Sequence, residues 1–224
     1  MRAAKIRRPP IWPLIWAIIL LFSAGTLRWL YGWIYIIEIF CAELLFRYLL
    51  HRNAPDIAAE RSRAYLQKDQ TPADRIVQLV GIVTYICLFI ITGLDQRLGW
   101  SEVPVWVRLV GAAFVFITSY STYRVAMENK FAVLVVKIQH NRGHRVVDTG
   151  PYRFVRHPMY AGLAFGIIGT PLLLGSWWGL CVAPVAIILL ITRVLVEERA
   201  LTTGLDGYEA YALRVRYRLV PLVW

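Results

Sequence analysis

The chain has 224 residues, of which 58% are hydrophobic and 17% charged, with a formal net charge of +11. Soluble domains carry about 25% charged residues, so this composition excludes an ordinary soluble domain and indicates one membrane-embedded unit. The cysteines 41, 87 and 181 stand singly in apolar segments. They form no CxxC pair and no metal-ligand spacing, so we expect core or lipid-facing cysteines and no metal site.

Six apolar segments follow one another along the chain, each about long enough to cross a hydrocarbon core of roughly 30 Å. The first runs into the second without a small-residue cleavage site, so we expect no cleavable signal peptide. Only Gly175-Ser176-Trp177 joins the last two, which predicts a helical hairpin over 159–196. The sequence thus predicts an all-α integral-membrane protein with about six transmembrane helices. The segments are 11–30, 32–50, 76–95, 104–126, 159–175 and 178–196.

Basic residues gather at the N-terminus, between the second and third segments, after the fourth segment and in the tail. With six crossings, all four regions fall on one face of the membrane. Because lysine and arginine favour the cytoplasmic side, we expect both termini and residues 127–158 to be cytoplasmic. We interpret the excess charge as a topology signal and a contact with lipid headgroups, and we expect no nucleic-acid partner. These residues include Arg2, Lys5, Arg7, Arg8, Arg52, Arg61, Arg63, Lys68, Arg75, Arg124, Lys130, Lys137, Arg142, Arg145, Arg153, Arg156, Arg199, Arg214, Arg216 and Arg218.

Two pairs of ionisable residues fall inside apolar segments. Glu43 and Arg47 have the spacing of an ion pair within one helix. Arg193 lies one turn before Glu197, so both project from one helical face. Arg193 then has two interpretations, as a structural salt bridge or snorkelling arginine, or as an anion-binding arginine beside a cation-binding carboxylate, since intramembrane charges often mark substrate sites.

Residues 144–160, HRVVDTGPYRFVRHPMY, concentrate hydrogen-bonding groups directly before an apolar run. This density predicts a site for a polar, charged molecule at one membrane edge. Taken alone, Tyr152 and Tyr160 are equally typical of interfacial anchors. The glycines at 162, 166 and 169 indicate close helix packing, and the lack of GxGxxG argues against a soluble Rossmann-type domain.

The segment GPYRFVRHPMYAG, followed by EERAL, GYEAY and RLVP, resembles the isoprenylcysteine carboxyl methyltransferase family. Its members are membrane enzymes that use S-adenosylmethionine, and membrane phospholipid N-methyltransferases share a looser form of the pattern. The resemblance covers roughly residues 136–221 and does not extend recognisably to 1–125. The apolar segments predict an N-terminal four-helix region over 1–126, and the resemblance implies a catalytic, cofactor-binding region over 127–224 with a cytoplasmic cofactor pocket.

The family's functional positions carry over where the residues match. For the family's polar glutamine, Gln139 is the counterpart, although an ungapped alignment places Lys137 there, so both stay open. The resemblance implies Arg193 and Arg218 as substrate contacts, and Arg193 and Glu197 as the catalytic pair. The implied cofactor contacts are Gln139, His144, Arg145, Val146, Val147, Tyr152, His157, Pro158, Met159, Tyr160 and Glu197.

Together these features predict methyl transfer from S-adenosylmethionine to the carboxylate of a lipid-like acid such as an isoprenylcysteine. A carboxylate is already ionised at neutral pH and needs no general base, and an arginine grips it through two parallel donors. A phospholipid N-methyltransferase is the first alternative. An NADPH-dependent enzyme of the sterol-reductase type is the second, although those commonly carry Asn where this chain has Met159. A non-enzymatic scaffold is the third. The physiological acceptor and the oligomeric state stay open.

Overall fold

The computed structural model describes residues 11–61, 70–133 and 135–224, and these ranges contain helices and no strand. Arg2, Lys5, Arg7, Arg8, Arg63 and Lys68, which enter the predicted orientation, lie outside them. Short 3₁₀ turns form at His140–Arg142 and Gly150–Arg153. The helices are α1 (Ile11–Ala24), α2 (Leu30–Asn53), α3 (Pro55–Arg61), α4 (Pro72–Leu98), α5 (Val105–Glu128), α6 (Pro158–Leu174), α7 (Trp177–Leu180), α8 (Ala183–Gly204) and α9 (Tyr208–Arg214).

Each predicted apolar segment forms helix over most of its length, so the all-helical prediction is confirmed for the part of the chain that the structure describes. Within the described ranges, three stretches are long and apolar enough to cross a membrane: Pro72–Leu98, Val105–Glu128 and Trp177–Gly204. The helices α1 and α6 are apolar but shorter. The structure therefore supports a membrane protein with three clear candidate spans, whereas about six crossings and a cytoplasmic pocket stay predictions.

The C-terminal hairpin forms as the sequence predicts, and its turns explain why. Helix α6 begins at Pro158, where a missing N–H costs nothing, and ends at Leu174, followed by Gly175 in the left-handed region with φ of 79°. The Ser176 hydroxyl then accepts the Gly179 N–H at 2.8 Å and caps α7. Helix α8 follows and packs back against α6.

Helices α5 and α6 pack closely along a face of small residues, as the glycine spacing predicts. A Cβ at Gly166 would lie 2.8 Å from Thr118 Oγ1, and one at Gly169 would lie 2.6 Å from the Phe114 Cβ. The Thr118 hydroxyl also donates to the Gly162 carbonyl at 2.8 Å. Helix α5 runs through the predicted region boundary at residue 126, and α6 lies wholly beyond it, so this boundary stays a prediction.

The predicted ion pair of α2 is also formed, with Arg47 Nε 2.5 Å from Glu43 Oε1. Helix α4 lies between α1 and α8 and contacts both. The end of α5, the start of α6 and the end of α8 meet at one end of the bundle. The segment 129–157 and α9 gather at that end, and their side chains enclose a cleft.

Candidate active site

The cleft has an empty volume of about 790 Å³, part of it open to solvent. Apolar side chains from the segment 131–147 and from α8 form much of its wall, and polar side chains enter from α6, α8 and α9. Nine of the eleven residues implied as cofactor contacts line it. These are His144, Arg145, Val146, Val147, Tyr152, His157, Met159, Tyr160 and Glu197.

The His-Pro motif and the Glu-Glu motif come together in space. The Tyr160 hydroxyl donates to Glu197 Oε2 at 2.6 Å, and His157 Nε2 lies 3.4 Å from Glu198 Oε1. Both contacts join the start of α6 to α8. The cleft lies directly beside this junction, since His157, Tyr160 and Glu197 are all part of its wall.

Glu198, which no motif assignment included, contacts three residues at the edge of the cleft. One carboxylate oxygen lies 2.7 Å from Arg156 Nε and faces His157, while the other accepts from Arg218 Nε at 2.7 Å. The His157 N–H also donates to the Arg218 carbonyl at 2.9 Å. Arg218, implied as a substrate contact, thus lies outside the wall of the cleft and holds the tail to α6. The second glutamate of EERAL was the sequence signal that could have pointed to Glu198.

Gln139 and Lys137, the two candidates for the family's polar glutamine, have different surroundings. Gln139 is 3% exposed and does not line the cleft; its amide donates to the Phe131 carbonyl at 2.8 Å and accepts from Arg142. Lys137 does line it, in a buried ion pair with Glu60 at 2.9 Å. Gln139 therefore shapes the segment, and Lys137 is the one of the two that reaches the cleft.

His144 is a neutral hydrogen-bonding group in the wall. Its ring packs on Phe131 with centroids 4.4 Å apart, and Nδ1 accepts the Gln139 N–H at 3.3 Å. Burial, followed by the charges of His140 and Arg142, lowers the pKa of His144 to about 4. With Nδ1 as acceptor, Nε2 carries the proton at neutral pH and can donate.

Two tyrosines supply further polar groups. The Tyr152 hydroxyl accepts from Asn129 at 2.9 Å, and burial raises the pKa of Tyr152, so its own proton is retained. Burial likewise raises the pKa of Tyr208. The Tyr208 hydroxyl is buried in the wall without a hydrogen-bond partner among the described residues. A buried donor of this kind favours a bound polar ligand, because leaving it unsatisfied costs about 1–3 kcal/mol.

Arg193 lies behind this wall and not in it. Its Nε is 3.1 Å from Asp74 Oδ1, and its guanidinium carbon is 5.8 Å from the centre of the Tyr160 ring. The salt bridge that the sequence allowed is therefore present, with Asp74 of α4 as the partner. The sequence did not point to Asp74 as a partner of Arg193, because an acidic residue three positions after Thr71 is typical of an ordinary helix cap. Pro158 likewise does not line the cleft, and it begins α6.

Comparisons with known proteins agree with the resemblance. A sequence model of the family described as phospholipid methyltransferase matches residues 106–205. The chain is 29% identical over 83 residues to Protein-S-isoprenylcysteine O-methyltransferase from Schizosaccharomyces pombe. That alignment covers 36% of this chain and 35% of the yeast protein, so the chain matches about a third of its relative's length. The family match begins earlier than residue 136 and includes α5. Over residues 106–205, the chain is therefore similar to the phospholipid methyltransferase family.

Proposed function

We propose that the protein is an integral-membrane methyltransferase that methylates the carboxylate of a lipid-like acid, such as an isoprenylcysteine, with S-adenosylmethionine. The observation that carries this proposal is the cleft at the junction of Tyr160 and Glu197, where the two motifs of the resemblance meet. Its position at one end of a bundle with apolar helices suits a polar cofactor and a lipid substrate.

The groups in the wall fit the cofactor's chemistry. Glu197 would accept from its ammonium or ribose hydroxyls, and neutral His144 and Tyr208 would donate to its carboxylate or other oxygens. Val146 and Val147 would flank the adenine. S-adenosylmethionine supplies an electrophilic methyl group on a sulfonium sulfur, which departs as a neutral thioether when the oxygen–carbon bond forms.

The protein's own residues would bind the acid and the cofactor, orient them and exclude water. A carboxylate nucleophile needs no proton acceptor, so rate enhancement comes from fixing its oxygen in line and excluding water. We assign the grip on that carboxylate to Arg193, whose side chain retains 21% exposure beside Tyr160. A lipid-like acid would enter sideways from the bilayer between helices, and membrane lipids would contact the basic residues at this end.

The family description favours a second candidate, a phospholipid N-methyltransferase. An amine nucleophile loses a proton during the reaction and needs an acceptor. Glu197, which accepts from Tyr160, is the carboxylate in the wall that would serve this purpose.

Two measurements test the proposal. S-adenosylhomocysteine, the demethylated cofactor, should raise the melting temperature of the purified protein, whereas NADPH should leave it unchanged. Membranes incubated with radiolabelled S-adenosylmethionine should label N-acetyl-S-farnesylcysteine in a base-labile ester. Labelling of phosphatidylethanolamine alone would replace the first candidate with the second, and stabilisation by NADPH alone would refute both.

A further inference from the structure

Asp74 is a carboxylate in an unusual place. It lies in the first turn of α4, where acidic side chains normally face water, yet it is 0% exposed. The Thr71 hydroxyl accepts the Asp74 N–H at 3.2 Å, so the cap uses its backbone and not its side chain. The carboxylate points inward, towards α8 and towards the cleft segment, which is the segment 131–147 whose side chains form part of the cleft wall.

The two oxygens of Asp74 contact different parts of the molecule. Oδ1 lies 3.1 Å from Arg193 Nε on α8. Oδ2 accepts the Val136 N–H at 2.9 Å and the Gln70 amide at 2.8 Å. Val136 is part of the cleft wall. One buried carboxylate therefore ties the arginine to α4 and anchors the backbone of the cleft segment.

We propose that Asp74 is a positioning residue that orients the Arg193 guanidinium towards the carboxylate of the lipid substrate. This inference rests on the proposed function and deepens it, since it makes the N-terminal region a contributor to the substrate site. A buried anion 3.1 Å from Nε restricts where the guanidinium can lie, and a restricted guanidinium favours two-donor recognition of a carboxylate.

Asp74 and Arg193 differ in the solvent exposure of their side chains. The Asp74 side chain is 0% exposed and the Arg193 side chain is 21% exposed. The partly exposed arginine can therefore meet a ligand, whereas the buried aspartate acts on a ligand only through the residues that it holds. Because the substrate carboxylate loses its charge as it is methylated, its attraction to Arg193 is strongest before the reaction. Loss of positioning should therefore raise KM more than it lowers kcat.

Asp74→Asn is the most informative variant because the asparagine amide has one oxygen where the carboxylate has two. That oxygen can remain towards the Val136 and Gln70 donors, which leaves the amide NH₂ facing Arg193, donor against donor. We expect KM for N-acetyl-S-farnesylcysteine to rise at least tenfold, with kcat within about threefold. The Kd for S-adenosylhomocysteine should also stay within about threefold of the wild-type value. Adding Asp74→Asn to Arg193→Ala should weaken the binding of N-acetyl-S-farnesylcysteine no further, because the two residues act as a unit.

Two further variants keep the test decisive. Asp74→Glu retains the charge with one more methylene, and its KM should lie between those of the wild type and Asp74→Asn. It also replaces Asp74→Asn if that variant does not fold. Glu43→Gln breaks the ion pair with Arg47 in α2, outside the cleft wall, and should leave KM and the cofactor Kd unchanged.

The readouts separate failure of this inference from failure of the proposed function. Binding of N-acetyl-S-farnesylcysteine in the presence of S-adenosylhomocysteine, which has no methyl to transfer, is measured on each variant. Absence of binding to the wild type would refute the proposed substrate class and this inference with it. Equal binding to the wild type and Asp74→Asn would overturn this inference alone, as would a tenfold loss of cofactor affinity or additive effects in the double variant.

Discussion

Tyr160 donates its hydroxyl hydrogen to Glu197 across 2.6 Å, and this bond joins the first turn of α6 to α8. Tyr160 is 5% exposed, and its ring also lies beside the Arg193 guanidinium. One side chain thus connects the residue assigned to the cofactor with the residue assigned to the substrate.

Tyr160→Phe should weaken cofactor binding without unfolding the protein. The ring and its packing remain, while the carboxylate of Glu197 loses a donor that fixes its orientation. A hydrogen bond to a charged group contributes about 1.5–3 kcal/mol, so the Kd for S-adenosylhomocysteine should rise roughly tenfold or more by calorimetry. Tyr120→Phe on the exposed face of α5 is the matched control, and an equal effect there would count against the assignment.

Glu197→Gln should also weaken cofactor binding, because the neutral amide attracts an ammonium group less than a carboxylate does. We expect the Kd for S-adenosylhomocysteine to rise about tenfold, with little change in the melting temperature of the free protein. Titration calorimetry at pH 7 measures this Kd. An unchanged Kd would remove Glu197 from the cofactor site.

Glu198→Gln should act on stability and not mainly on binding. Its carboxylate is 12% exposed and pairs with Arg156 and Arg218. Removal of one partner from a buried ion cluster costs about 3 kcal/mol, seen as a lower melting temperature. Asp148→Asn breaks the exposed pair with Arg214 and should cost less than about 1 kcal/mol. Equal melting temperatures of the two variants would contradict the structural role of Glu198.

Arg193→Ala should remove methylation of the acid more completely than Arg193→Lys. Lysine keeps the charge and some attraction for a carboxylate, but it lacks the planar pair of donors. Steady-state rates with N-acetyl-S-farnesylcysteine distinguish the variants. Equal activity of the two would exclude Arg193 from the mechanism.

His144 should make the protein less stable as the pH falls below about 6.5. Burial and the charges of His140 and Arg142 lower its folded-state pKa to about 4. Between these pKa values, His144 binds more protons in the unfolded chain than in the folded one. Its contribution to the free energy of unfolding therefore rises with pH in this window and is constant above it. Melting temperatures from pH 4 to 8 should show this slope. It should be shallower in His144→Gln, and an identical slope would contradict the assignment.

Much of the site was predictable because its residues lie close together in the sequence. Nine of the eleven implied cofactor contacts line the cleft, and most of them fall between residues 144 and 160. Gln139 illustrates the limit. The resemblance implied Gln139 or Lys137 as a cofactor contact, and the local sequence could not show that the Gln139 side chain bonds to Phe131 and Arg142.

The sequence by itself determined the helices and the hairpin, because hydrophobic runs, proline and glycine act through neighbouring residues. It also determined which residue types are available to a charged ligand. Only the tertiary structure decided the partners of the buried charges: Asp74 with Arg193, Glu60 with Lys137, and Glu198 with Arg218. A buried charge pairs with the opposite charge that the packing of distant helices brings close to it. The local sequence does not show which helices pack together, so it cannot predict the partner.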